Sequence, residues 1–119
     1  MPQRAFPEAL TAFQSFLADY PFGRYASNAH YWLGELYLVV DPVEPELARQ
    51  SFRLLVDQYP SDKKLPDALY KLGIVYALKG DPERSSEYLN RVITEYGDEG
   101  HPAAQLAGEF LAKQSSDSP

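Results

Sequence analysis

Two histidines, His30 and His101, and several neighbouring carboxylates are the first places to look for acid–base or metal chemistry in this sequence. The histidines stand 71 positions apart with no His, Cys or Asp at the spacing of a known metal type, so no metal is expected. His30 sits in an apolar stretch and reads as a packing residue, whereas His101, directly before Pro102, reads as a capping or solvent-facing group. Acid pairs such as Glu44/Glu46 and Asp98/Glu99 would need burial or a close partner to shift their pKa for proton transfer, which loops rarely supply. Gly97-Asp98-Glu99-Gly100 reads as a turn between helices, because it lacks the long glycine spacing and the basic and hydroxyl residues of a phosphate cradle. Asp62-Lys63-Lys64 reads as a solvated charged loop. Cysteine is absent, which removes disulfides, thiolate ligands and thiol nucleophiles without identifying a compartment. No catalytic residue and no cofactor is therefore expected, and the chain is not expected to be an enzyme.

The residues that do recur are aromatic and aliphatic. Three segments end alike, Asp19-Tyr20-Pro21, Gln58-Tyr59-Pro60 and Glu95-Tyr96-Gly97, with their tyrosines 39 and then 37 residues apart. Seven, four and three residues before each tyrosine stand Phe13/Phe16/Leu17, Phe52/Leu55/Val56 and Leu89/Val92/Ile93, an apolar stripe at helical period. A second motif precedes the last two copies: Ala29-His30-Tyr31-Trp32-Leu33-Gly34-Glu35-Leu36-Tyr37 aligns with Ala68-Leu69-Tyr70-Lys71-Leu72-Gly73-Ile74-Val75-Tyr76. Each full repeat is thus a pair of helices.

Pro7, Pro45, Pro66, Pro82 and Pro102 each open a periodic apolar segment, where a first-turn proline loses no needed hydrogen bond, and Asp81 is placed to cap the segment after it. The spacing predicts helices over about 7–19, 24–39, 45–59, 66–79, 82–95 and 102–113, and no strand. Gly34 and Gly73 fall mid-helix, where glycine costs about 1 kcal/mol relative to alanine. Close helix approach is the expected compensation, with Phe52 and Leu89 packing over the gaps and Leu33, Tyr37, Leu72 and Tyr76 filling the layer between paired helices. One domain is expected over 1–114: a partial first repeat at 7–21, repeats at 24–60 and 66–97, and a capping helix at 102–113. The polar end, 115–119, is expected to be a disordered tail.

At 119 residues and 45% apolar content the chain can bury a core. Its net charge of −6 repels phosphate backbones, so nucleic acid is not an expected partner. No apolar run approaches the roughly 20 residues of a membrane span, and the first residues do not read as a secretory signal. The first repeat has only about six residues before its helix at Pro7, so a missing leading helix or a partner chain must cover Phe13/Phe16, a second copy of this chain being one candidate.

The order Leu33, Gly34, Tyr37, Ala48, Phe52, Pro60 resembles the tetratricopeptide repeat. The next copy matches at Leu72, Gly73, Tyr76, Leu89 and Val92 but has Ser85 for Ala and Gly97 for Pro. The resemblance implies an all-α, right-handed superhelix of about six antiparallel helices whose work is binding another protein. The strings Asn28-Ala29-His30-Tyr31-Trp32-Leu33-Gly34-Glu35-Leu36-Tyr37 and Pro66-Asp67-Ala68-Leu69-Tyr70-Lys71-Leu72-Gly73 further resemble the C-terminal domain of the Tol-Pal system family YbgF/CpoB, over about Ala9 to Leu111. That likeness implies a periplasmic module that binds TolA and helps coordinate peptidoglycan synthesis with outer-membrane constriction at cell division, with cell-wall synthesis proteins as further partners. It also implies an export signal and a trimerising coiled coil upstream, so this chain is expected to be the repeat domain alone. A shorter string, Tyr20-Pro21-Phe22-Gly23-Arg24-Tyr25, resembles a turn in the outer-membrane assembly lipoprotein BamD.

In stacked helix pairs the first helix of each repeat lines the concave face. The positions free of packing are then Asn28, Tyr31, Trp32 and Glu35 in one repeat and Asp67, Tyr70, Lys71 and Ile74 in the next, which are the expected partner-binding residues. Tyr31, Trp32 and Tyr70 offer large apolar area with a polar handle, and Asn28 and Asp67 can bond a partner's backbone.

Overall fold

The computed structural model describes residues 5–116 and shows six helices: α1 (Phe6–Asp19), α2 (Ala26–Val39), α3 (Pro45–Gln58), α4 (Leu65–Leu78), α5 (Pro82–Tyr96) and α6 (Pro102–Ser116). No strand occurs among the described residues, so the fold is all-α and tetratricopeptide-like. Proline stands in the first turn of α1, α3 and α5, second in α4 and first in α6, as the sequence predicts. Asp81 caps α5, its Oδ1 accepting from the Arg84 backbone N–H at 3.1 Å. Two boundaries differ from expectation by more than one residue. The α2 helix starts at Ala26 rather than at 24, because Gly23 N donates to Tyr20 O and Ala26 N to Gly23 O, which closes residues 20–25 into a turn. The α6 helix runs to Ser116, two residues into the expected tail, and 117–119 lie outside the described residues.

The chain forms two compact units, Met1–Lys64 and Leu65–Pro119, dividing between the second and third expected repeats. Repeat arrays built on nearest-neighbour contacts permit such a division. In the first unit α2 packs against both α1 and α3. Ala26, Ala29, Leu33, Leu36 and Tyr37 of α2 are buried, as are Ala48, Phe52, Leu55 and Val56 of α3. A Cβ built on Gly34 would lie 2.5–2.7 Å from three atoms of the Phe52 ring, so α3 can approach α2 this closely only because Gly34 has no side chain. No residue of α1 is fully buried. Gln14 ties α1 to α2 by donating its amide to the Tyr37 hydroxyl at 2.9 Å.

In the second unit α5 packs against α4 and α6, and α4 also meets α6. Ala68, Leu69, Leu72, Val75 and Tyr76 of α4, Leu89 and Val92 of α5, and the alanines 103, 104 and 107 of α6 are buried. The glycine contact recurs: a Cβ on Gly73 would lie 2.5 Å from Leu89 Cδ2. The Tyr76 and Tyr88 rings stack beside it, with centroids 5.5 Å apart and planes 8° from parallel.

Ser85 departs from this apolar layer, being fully buried with no hydrogen-bond partner for its hydroxyl among the described residues. Its counterpart one repeat earlier is the buried Ala48. An unsatisfied buried hydroxyl carries its desolvation penalty, and alanine is the better helix former. Ser85→Ala should therefore raise the unfolding free energy by about 1–2 kcal/mol in urea denaturation. An unchanged or lowered midpoint would show that the hydroxyl is satisfied in solution.

Candidate protein-binding surface

On α2 the four expected binding residues follow one another at helical spacing, and the structure separates them by exposure. Asn28 and Trp32 are exposed, Glu35 is half-buried and Tyr31 is buried at 9% exposure. The burial of Tyr31 corrects the expectation that it takes no part in packing. Its ring stands edge-on to Phe52 at 5.7 Å and to Trp32 at 5.4 Å. The cause is one turn away: Phe52 rises into the space Gly34 leaves empty, and Tyr31, three residues before that glycine, closes over the ring's edge. Tyr31 therefore supports the α2–α3 contact and presents little surface of its own.

A second correction concerns the loop after α3. Asp62-Lys63-Lys64 reads as solvated, but only Lys63 is exposed. The Asp62 carboxylate accepts from the Ser27 hydroxyl at 2.6 Å and from the Lys64 backbone N–H at 2.8 Å. This brings a negative charge to the first turn of α2, which has no acid of its own and no side-chain cap. Lys64 then folds back, its ammonium 4.8 Å from the centre of the Tyr31 ring and 5.4 Å from that of Trp32. The exposed face of α2 is thus a Trp32 ring beside a half-buried cation, with Asn28 one turn away. Sequence periodicity carried no sign of Lys64, because the loop reaches α2 across 35 residues of chain at the Ser27–Asp62 bond.

On α4 the corresponding stripe is chemically different. Asp67, Tyr70, Lys71 and Ile74 are all half-buried, and the Lys71 ammonium lies 5.8 Å from the centre of the Tyr70 ring. Tyr70 keeps the partly open position expected of it, whereas its counterpart Tyr31 does not.

His30 is half-buried with its ring 6.4 Å from that of Tyr59, and burial pushes its imidazole below the usual histidine range. It packs, as its place in the repeat predicts. His101 caps α6: its Nδ1 accepts from the Ala103 N–H at 3.0 Å and its carbonyl from the Ala104 and Gln105 N–H groups. Gly100, at φ +70°, turns the chain into that cap, and its N–H donates to Gly97 O, so Gly97-Asp98-Glu99-Gly100 is the expected turn.

Among the described residues no three His, Cys, Asp or Glu side chains converge as metal ligands, and no helix is long and apolar enough to cross a membrane. An open recess of about 200 Å³ lies between α1 and α2, lined by Phe13, Phe16, Tyr25, Asn28 and Ala29. It is smaller than the roughly 300–1,000 Å³ of small-molecule sites. Large exposed apolar side chains gather near it: Tyr20, Phe22 and Tyr25 in the turn are 59%, 82% and 61% exposed.

Comparison with known proteins agrees with this geometry. A tetratricopeptide-repeat model matches residues 67–98, which span nearly all of α4 and α5. Two curated relatives from Pseudomonas putida, each described as cell division coordinator CpoB, are 53% identical to this chain over 36 residues. Those residues are 30% of this chain and 13% of the relatives' length. The chain therefore carries a tetratricopeptide repeat, a protein-interaction module, with a local likeness to CpoB.

The two aromatic neighbours on α2 should respond oppositely to truncation. Tyr31→Ala removes a ring packed on Phe52 and should cost about 3 kcal/mol of stability, near the values for buried aromatic residues. Trp32→Ala, at an exposed position, should change stability by less than about 1 kcal/mol. Thermal melts of both variants check this, and equal losses would contradict the division of roles.

Proposed function

We propose that this chain is a periplasmic interaction module of the Tol-Pal system, binding TolA and helping coordinate peptidoglycan synthesis with outer-membrane constriction during cell division. The observation that carries the proposal is the stretch 53% identical to the cell division coordinator CpoB of Pseudomonas putida. It is supported by the resemblance of both α2 and α4 strings to the YbgF/CpoB domain and by the aromatic surface those helices present. On α2 the contact residues are Asn28, Trp32 and Glu35, with Tyr31 bracing Trp32 from beneath. On α4 they are Asp67, Tyr70, Lys71 and Ile74. Cell-wall synthesis proteins are further candidate partners on the same reading.

A BamD-like role in outer-membrane protein assembly is the second reading, favoured by the turn Tyr20-Pro21-Phe22-Gly23-Arg24-Tyr25 and the exposure of its three aromatics.

Calorimetric titration against a periplasmic TolA fragment tests the proposal. Trp32→Ala and Tyr70→Ala should each weaken binding by about 1–3 kcal/mol, in the range of aromatic anchors, with helical circular dichroism preserved. Absence of binding by the wild-type chain would count against the TolA reading and favour the assembly-scaffold one.

A further inference from the structure

Lys64 folds onto two rings, and its charge is left without an oxygen to answer it. The ammonium lies 4.8 Å from the Tyr31 ring centre and 5.4 Å from that of Trp32, and among the described residues it meets no carboxylate at ion-pair distance. Ring faces balance part of the charge, but they do not accept the ammonium N–H groups as an oxygen would. The neighbouring acid does not take that role. The Asp62 carboxylate is held at the first turn of α2 by the Ser27 hydroxyl at 2.6 Å and by the Lys64 backbone N–H at 2.8 Å. The loop therefore sets a half-buried cation beside α2 whose donors are left for an acceptor from outside the chain.

The groups around Lys64 narrow what brings that acceptor. Trp32 is 41% exposed, Asn28 one helical turn earlier is exposed, and neither side chain has a hydrogen-bond partner among the described residues. All of these residues belong to the first unit. Side chains one turn apart on a helix face are separated by about 5–6 Å, and an extended peptide rises about 3.3 Å per residue, so such a segment meets Asn28 and Trp32 about two residues apart. Because the cation lies over the Trp32 ring itself, the group it pairs with and the group on the ring must be neighbours in the segment. A polyphosphate is repelled by the net charge of −6, whereas a single carboxylate meets the local cation at short range. We infer that Lys64 reads a carboxylate: the surface takes an extended segment of a partner protein in which Asp or Glu stands next to an apolar residue. The acid pairs with the Lys64 ammonium, the apolar side chain covers the exposed part of the Trp32 ring, and the Asn28 amide bonds the segment's backbone. The inference rests on the reading of α2 as a partner-binding surface, and on no particular partner.

The chain has a single tryptophan, so its indole N–H gives one NMR signal that reports on this surface. The probe is an acetylated, amidated octapeptide with one Leu-Glu pair in a Gly/Ser background, titrated against the whole chain and followed at that signal and at the Lys64 amide. It should bind about fivefold more tightly than the same peptide with Gln for Glu, and the difference should shrink as salt is raised. Lys64→Gln should erase the preference and Lys64→Arg should keep it, with helical circular dichroism unchanged in both. Lys63→Gln removes the same formal charge from an exposed neighbour and should leave the preference within about twofold. Equal affinity for the Glu and Gln peptides, or an equal response to the Lys63 and Lys64 changes, would overturn the site. So would an indole signal that moves with the concentration of the chain alone, which would give the surface to a second copy. A chain that binds a TolA fragment with no carboxylate preference loses this inference and keeps the proposed function; one that shows the preference and binds no TolA does the reverse.

Discussion

A missing side chain sets the geometry of both units. Where Gly34 stands in α2, the Phe52 ring of α3 occupies the volume a Cβ would need, and Leu89 does the same over Gly73. Each contact lets two helices approach closely enough for the neighbouring leucines and tyrosines to interdigitate, and the apolar area removed from water more than offsets the helix-propensity cost of glycine, about 1 kcal/mol. Each contact also fixes helix rotation. With Gly34 against Phe52, the layer that includes Leu33 and Tyr37 is committed to the interior, Asn28 and Trp32 are left on the outer side, and Glu35 is half-buried. The surface proposed for partners is what this pairing leaves over.

The same constraint explains why the two tyrosines at equivalent repeat positions differ. Phe52 is a ring with an edge that Tyr31 can meet at 5.7 Å, whereas the knob over Gly73 is a leucine, and Tyr70 stays half-buried. The buried Tyr31 meets Trp32 edge-on, and the Lys64 ammonium lies within 5.4 Å of both ring centres from the loop. An aromatic ring held by neighbours on two sides has less rotamer freedom to lose on binding, where ordering side chains at an interface costs free energy.

Helix positions, the glycine contacts and the Leu33/Leu72 layer were legible in the sequence because the chain states them more than once, and a repeated spacing of apolar residues has one structural reading. The exposure of Tyr31 was not legible: helical periodicity places it beside Asn28, Trp32 and Glu35, and only the size of the residue filling the glycine gap turns it inward. The role of Asp62 and Lys64 was equally hidden, since a short charged loop looks solvated until the Ser27 hydroxyl brings it onto α2. The identity of a partner is written in surface chemistry rather than in spacing, so the repeat pattern that fixes the helices carries no record of it.

If the glycine contact governs the packing, its two halves must be coupled. A double-mutant cycle of Gly34→Ala and Phe52→Ala, followed by urea unfolding, measures this most directly. In the wild-type background Gly34→Ala should destabilise by about 1–3 kcal/mol through overpacking, despite the better helix propensity of alanine. In the Phe52→Ala background, where all three nearest obstructing atoms are gone, the same change should be neutral or stabilising by up to about 1 kcal/mol. Additive effects of the two substitutions would contradict the account.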